Sequence, residues 1–322
     1  MAAMSLLSSS ALCTKRAAKE RLPTISEDEC QDLEHEANQI RHKLTESFGE
    51  LLRGGTDPEM GRDFIKFLKA ADPCRRKEAL SFLAPALPSL AHAQQGVIRA
   101  AIEVATSSDR PILLSAFRGS VLDLCQSKSG HEMLVQLIDS VPVFSLGFMV
   151  CEMIQNCKLL SMHRYASNVM ESMLLHFHPS QLVEISSKVV EAAPSLARDP
   201  HGSRVLQTLI EYGNPTCREL LFRKLLPEIA MLTMHRTGSQ VLRKALEISD
   251  ANLEQLIAEA VLEGVRNKSV QVANIACSRC GSSILQQIST CRSPVVDEIH
   301  SRLAEALPQL EKSRYGRRLV RA

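Results

Sequence analysis

The chain has 322 residues, 45% of them hydrophobic, which is ample for a sizeable core. Aromatics make up only 4%, with no Trp, and Leu, Ala, Val and Ile supply most of the apolar content; sheets favour aromatic and β-branched residues, so the balance leans towards helix. A net charge of +2 predicts no polyanion partner by itself, and no run of about 18 uninterrupted apolar residues is present, so no membrane span is expected.

The first 25 residues read as a leader. Its start, MAAMSLLSSSALCTKRAAKERL, is rich in Ala and Ser, and its first acidic residue, Glu20, follows Lys15, Arg16 and Lys19. Such a composition suits either a disordered leader or an organellar transit peptide. Residues 26–53 read as a helical cap. SEDE matches the S-x-x-E capping box, with Ser26 as N-cap and Glu29 reaching back, and Gly54 and Gly55 end the helical stretch near Leu52.

From residue 54 to residue 322 one pattern recurs. Its segments are GRDFIKFLKA, QQGVIRAAIE, GHEMLVQLID, ASNVMESMLL, GSRVLQTLIE, GSQVLRKALE, GSSILQQIST and GRRLVRA. Their second residues, the anchors, are Arg62, Gln95, His131, Ser167, Ser203, Ser239, Ser282 and Arg317, separated by 33, 36, 36, 36, 36, 43 and 35 residues. A repeat of this length marks a solenoid whose units bury their apolar faces against neighbours. An apolar helix precedes each anchor, as in SQLVEISSKVVEAAPSLA and TCRELLFRKLLPEIAMLT, so two helices per repeat are expected. The long interval places about seven extra residues, read as an edge loop, around Gly264 to Asn274.

Within each anchor helix the offsets +2, +3, +6 and +7 are mostly apolar, as in Val205, Leu206, Leu209 and Ile210. Offsets 0, +1 and +4 point broadly the other way and are expected to line the exposed surface. These trios are Arg62/Asp63/Lys66, Gln95/Gly96/Arg99, His131/Glu132/Val135, Ser167/Asn168/Glu171, Ser203/Arg204/Gln207, Ser239/Gln240/Arg243, Ser282/Ser283/Gln286 and Arg317/Arg318/Arg321. The anchor is Ser four times running, while +4 varies among Glu, Gln and Arg. Solvation alone gives no reason for a fixed small hydroxyl beside a varied long hydrogen-bonding group.

These helices resemble those of the Pumilio (PUF) family of RNA-binding proteins. HRYASNVME is similar to the family's guanine-reading helix and HGSRVLQ to its adenine-reading helix. The likeness covers Gly130 to Ala322 well and thins to spacing and apolar pattern in the first two units. It implies an all-α fold, a right-handed superhelical crescent of about eight repeats, with each repeat's second helix reading one base of single-stranded RNA.

The residue chemistry suits that implication. Ionised Glu171 only accepts and matches the N1–H and N2–H₂ donors of guanine, with Ser167 as a second contact. Gln207 and Gln286 offer a donor and an acceptor for adenine, and donor-only Arg243 suits O2 and N3 of cytosine. Asn168, Arg204, Gln240 and Ser283 occupy the position between bases, where stacking contributes about 1–3 kcal/mol. With the family's antiparallel polarity, the trios from Ser282 back to Ser167 read 5′-A-C-A-G-3′. The family's frequent UGUA-type target is not implied, because no repeat carries the Asn/Gln pair used for uracil. Arg317, Arg318 and Arg321 suit phosphate or unselective stacking.

Three residues before the anchors lie Lys128, Arg164, Arg236, Arg279 and Arg314, with Pro200 breaking the series. This ladder would contact phosphates; inter-repeat pairing with carboxylates is the equal alternative.

The ten cysteines are scattered, several inside apolar runs, which reads as free thiols in a reducing compartment. Cys277 and Cys280 have C-x-x-C spacing without a second pair or His at metal-site distance, and Cys280 is a repeat position, so no metal is expected. His35-Glu36 opens an H-E-x-x-H pattern that fails at Gln39. No phosphate loop and no nucleophile–base constellation is visible. The reading is a monomeric, cofactor-free RNA-binding protein without enzymatic activity or membrane attachment. It would act on mRNA 3′ untranslated regions to control translation or stability, recruiting protein regulators. A cytoplasmic location is expected, with the nucleus, nucleolus or an organelle as alternatives. Two other functions stay open: a PUF-like ribosome-biogenesis factor with weak sequence selectivity, and a HEAT- or armadillo-like protein scaffold, whose repeats run about 40–47 residues.

Overall fold

The computed structural model describes residues 38–39, 42–46, 48–51, 57–248, 251–267, 271–290 and 294–320. The leader, the Ser26/Glu29 box, Gly54, Gly55 and Arg321 lie outside them. Of the expected cap, residues 42–46 and 48–51 are helical, and Leu44 and Leu51 are buried. All regular elements among the described residues are helices.

Eight helices carry the anchors: α1 (Pro58–Ala70), α2 (Gln95–Val104), α3 (Lys128–Ser140), α4 (Ala166–His176), α5 (Gly202–Tyr212), α6 (Gly238–Ile248), α7 (Arg279–Ile288) and α8 (Arg314–Val320). Each packs on the next in chain order, which makes a solenoid rather than a globule. Val205, Leu206, Leu209 and Ile210 are buried in α5, as are Val169, Met170 and Met173 in α4. They belong to one core cluster running from Leu44 to Leu310.

The expected single helix before each anchor is instead two helical pieces. SQLVEISSKVVEAAPSLA divides into Val183–Glu191 and Ala193–Arg198, and TCRELLFRKLLPEIAMLT into Pro215–Leu225 and Ile229–Met234 around a 3₁₀ turn, Leu226–Glu228. Pro194 and Pro227 stand at the breaks. Proline lacks the N–H and clashes with the preceding turn, so the chain bends there and restarts. Three helical segments per repeat replace the expected two. The extra residues after α6 only partly form a loop: Ala251–Arg266 is an unbroken helix through Gly264, and Val272–Cys277 resumes the helix.

One helical stretch, Val143–Met162, is long and apolar enough to cross a membrane by length and composition. Glu152 and Lys158 interrupt it. Glu152 accepts from the backbone N–H groups of Gly119 (2.7 Å) and Val121 (3.1 Å), tying the stretch into the preceding repeat where Gly119 turns at φ 79°. That left-handed turn is one only glycine adopts readily.

Candidate nucleic-acid interface

The starts of α3 to α7 are built the same way. The backbone N–H just before the anchor donates to the side chain four residues before it. Gly130 thus donates to Ser127 Oγ (3.0 Å), Ala166 to His163 Nδ1 (3.3 Å), Gly202 to Asp199 Oδ1 (2.7 Å), Gly238 to His235 Nδ1 (3.4 Å) and Gly281 to Ser278 Oγ (2.9 Å). A cap of this kind contributes about 0.5–2 kcal/mol. The glycine is there because the preceding short helix passes close: a Cβ on Gly281 would stand 2.3 Å from the Ile275 carbonyl oxygen. The sequence reading missed this cap. Its signal was the run of Ser, His and Asp at one repeat position.

The trios divide. At +1, Asp63, Glu132, Arg204, Ser283 and Arg318 are exposed and Asn168 and Gln240 half-buried; at +4, Lys66, Arg99, Arg243 and Gln286 are exposed and Val135, Glu171 and Gln207 half-buried. The anchors do not share this face. His131, Ser167, Ser203 and Ser239 are buried, and only the outer Arg62 and Arg317 are open, with Gln95 and Ser282 intermediate. The expectation that all three offsets line the surface is therefore corrected. At about 100° per residue the core offsets centre roughly 90° from the anchor but roughly 170° and 130° from +1 and +4. The anchor therefore lies at the edge of the packed face, filled by Ser in α4 to α6 and by His131 in α3. Ser203 Oγ donates to Pro200 O (3.2 Å), Ser239 Oγ to Arg236 O (3.1 Å) and Ser282 Oγ to Arg279 O (3.2 Å).

At α4 the trio is engaged from α5. Arg204 Nη2 donates to Glu171 Oε2 (3.1 Å) and to Asn168 Oδ1 (3.4 Å). Glu171 Oε1 and Ser167 Oγ are buried without a hydrogen-bond partner among the described residues. Burial raises the Glu171 carboxyl above its usual value, while Arg204 and His201 pull it down. In α5, Gln207 Nε2 donates to Ser203 O at 3.1 Å. Between α6 and α7 lies a cleft of about 570 Å³ lined by Arg236, Ser239, Gln240, Arg243, Arg279 and Ser283. Its three guanidiniums face one space. Gln286 opens instead onto a more apolar cleft of about 490 Å³ with Leu319 and Val320.

The outer N-terminal trios are occupied internally. Asp63 pairs with Lys66 (2.8 Å), Gln95 Nε2 donates to Ser129 O (2.9 Å) and Glu132 Oε2 (3.3 Å), and the His131 ring stacks on Tyr165. A larger cleft of about 730 Å³, with Leu175, Val183, Tyr212 and Leu220 in its walls, contains no trio residue.

The ladder cations Lys128, Arg164, Arg236, Arg279 and Arg314 are all exposed. Arg164 lies over the Tyr165 ring at 5.1 Å; among the described residues the other four have no ion-pair partner. Lys128, Arg279 and Arg314 are the first residues of α3, α7 and α8. A cation at a helix N-terminus opposes the macrodipole by about 0.3–1 kcal/mol. Fold stability does not account for that placement.

All seven described cysteines are free. Burial pushes the Cys125 thiol up to about 12 and Cys157 to about 11, which leaves both unreactive. Among the described residues no three His, Cys, Asp or Glu side chains gather as a metal-holding group.

The fold and this face define an α-solenoid with a row of hydrogen-bonding side chains along one wall. The sequence model of the Pumilio-family RNA binding repeat matches residues 156–190, 193–226 and 228–260, which contain α4, α5 and α6. Three repeats of the Pumilio RNA-binding type are thus recognised between residues 156 and 260 of the chain. It is 22% identical over 263 residues to Pumilio domain-containing protein C6G9.14 of Schizosaccharomyces pombe, a match covering 79% of this chain and 37% of that protein. The solved structure of a Puf4 double mutant bound to a Cox17 RNA 3′ UTR recognition sequence is similar, with a TM-score of 0.73 and 18% identity over 88% of this chain and 96% of that one. PUF-8 in complex with PBE-RNA gives a TM-score of 0.69 and 16% identity, covering 92% and 89% of the two chains. The RNA-binding domain of yeast Puf5p bound to SMX2 RNA gives 0.68 and 14%, covering 82% and 80%. At these identities the structures establish the shared solenoid fold.

Proposed function

We propose that the protein binds single-stranded RNA along the wall formed by α4 to α7, one nucleotide per repeat, and so regulates translation or stability of messenger RNA. Glu171, Gln207, Arg243 and Gln286 are the base-facing groups, and Asn168, Arg204, Gln240 and Ser283 stand between successive bases. Ser167, Ser203, Ser239 and Ser282 lie at the edge of the packed face rather than meeting the bases. Arg317 and Arg318 extend the wall as a basic end. The observation that carries the reading is the ladder: exposed cations recur at one repeat position near the helix N-termini, four of them without an ion-pair partner among the described residues and three as first helical residues, and a polyanion on this wall would supply the missing charge. The RNA-bound solenoids of the same fold support it.

The test is selection from a random RNA pool, followed by binding of the enriched and random sequences. Enrichment of a motif containing 5′-A-C-A-G-3′ is expected. Equal affinity for both pools would instead favour a weakly selective ribosome-biogenesis factor. The self-pairing of Asp63 with Lys66 and of Gln95 with Glu132, which leaves fewer repeats free to read, favours that second reading.

A further inference from the structure

We infer that Arg204 is a latch on the α4 reading position: it occupies Glu171 in the RNA-free protein and has to be displaced before a guanine edge can be read there. The inference rests on the base-reading function proposed above and concerns the gating of one of its positions.

Guanine offers two donors, N1–H and N2–H₂, and needs two open acceptor sites on a carboxylate. Glu171 presents neither of its oxygens freely. Oε2 accepts from Arg204 at 3.1 Å, and Oε1 is buried. The same guanidinium also reaches Asn168 Oδ1 at 3.4 Å, so it spans both the +1 and +4 positions of α4. The closed state leaves hydrogen bonds unmade: Oε1 of Glu171 and Oγ of Ser167, one helical turn apart, are buried and unpartnered. Among the described trio residues, these are the unsatisfied buried side-chain atoms. A ligand edge that draws the Glu171 carboxylate outward would satisfy it and release Arg204 to lie flat against the base. The half-exposed pair is weak enough to be exchanged in this way. In α6 and α7, by contrast, Arg243 and Gln286 line open clefts, and neither is held by the following repeat.

The experiment measures binding of two RNAs that differ only as G or A opposite α4, to the unaltered chain and to Arg204→Gln, Glu171→Gln and the double variant. Glutamine at position 204 keeps a flat group between bases but cannot form the ion pair. Removing the latch is expected to raise the G-to-A affinity ratio by about two- to fivefold, and Glu171→Gln is expected to abolish that gain. A ratio that stays the same or falls in Arg204→Gln, while Glu171→Gln still erases G preference, overturns the latch and leaves base reading intact. If the unaltered chain and Glu171→Gln both bind the two RNAs alike, base reading at α4 itself fails, and the latch fails with it.

Discussion

The hydroxyl of Ser203 donates to the carbonyl of Pro200 at 3.2 Å, and Ser203 has no accessible surface. Ser239 and Ser282 repeat the bond with Arg236 and Arg279. In α5 and α6 the serine hydroxyl is thus buried and spent on its own helix start. Ser203→Ala is expected to leave base preference at α5 unchanged and to lower stability by about 0.5–1.5 kcal/mol, measured by denaturant unfolding beside RNA titration. Loss of selectivity at this position with unchanged stability would return Ser203 to a direct reading role.

Burial places the Glu171 carboxyl above the usual glutamate value. It therefore takes up a proton at a higher pH than a solvated glutamate, and protonation removes an acceptor that guanine requires. Preference for G over A opposite α4 should fall as pH drops from neutral into the mildly acidic range, while selectivity opposite Gln207 and Arg243 holds. For the fold the sign is opposite: with the native pKa raised, ionisation of this group costs stability as pH rises through that window. Binding at stepped pH with G and A ligands checks the first effect; identical pH profiles for all positions would contradict it.

Arg236 and Arg279 bracket the cleft between α6 and α7 without carboxylate partners among the described residues. Replacing both with Gln should weaken RNA binding and reduce the slope of log affinity against log salt by about 1.4, given about 0.7 per phosphate contact on a single strand. The melting temperature should stay within error, because no ion pair is lost. A collapse of thermal stability would show that the two arginines hold the solenoid together.

Two glycines should respond in opposite directions. A Cβ on Gly281 meets the Ile275 carbonyl oxygen at 2.3 Å, whereas Gly147 has nothing within 4 Å. Gly281→Ala is expected to cost about 1–3 kcal/mol through forced backbone displacement. Gly147→Ala is expected to stabilise by about 0.4–1 kcal/mol, because alanine narrows the unfolded ensemble at no native cost. Chemical denaturation of the two variants decides both.

Glu152 caps the Gly119 turn through two backbone N–H groups. Glu152→Ala strands the partly buried Val121 donor, while water can take the exposed Gly119 N–H, and should destabilise by about 1–2 kcal/mol. Hydrogen exchange at Gly119 and Val121 should accelerate selectively; uniform protection across the repeat would argue that the cap is dispensable.

Much of the wall was legible as a pattern. Period 36, the apolar offsets of α5 and the open positions Arg204, Arg243 and Gln286 all follow from helix geometry applied to a repeated string. The buried anchors were misassigned because offsets 0, +1 and +4 were averaged as one face, although the anchor lies only a quarter-turn from the core direction. Pro194 and Pro227 carried the signal for the extra break in each first helix. Asp199, His235 and Ser278 carried the signal for the caps, and their shared role is visible only once the amides of Gly202, Gly238 and Gly281 are seen to converge on them.

By itself the sequence determined the repeating unit, its helical character and the residue types along one wall, because those depend on 3.6-residue periodicity within single helices. Only the tertiary structure decided that Arg204 closes over Glu171, that Ser167, Ser203 and Ser239 are buried and that Lys128, Arg236, Arg279 and Arg314 have no ion-pair partner among the described residues. Each of these depends on how far apart two side chains from different helices come to rest. Distances of that kind are set by packing between repeats, which no single helix encodes.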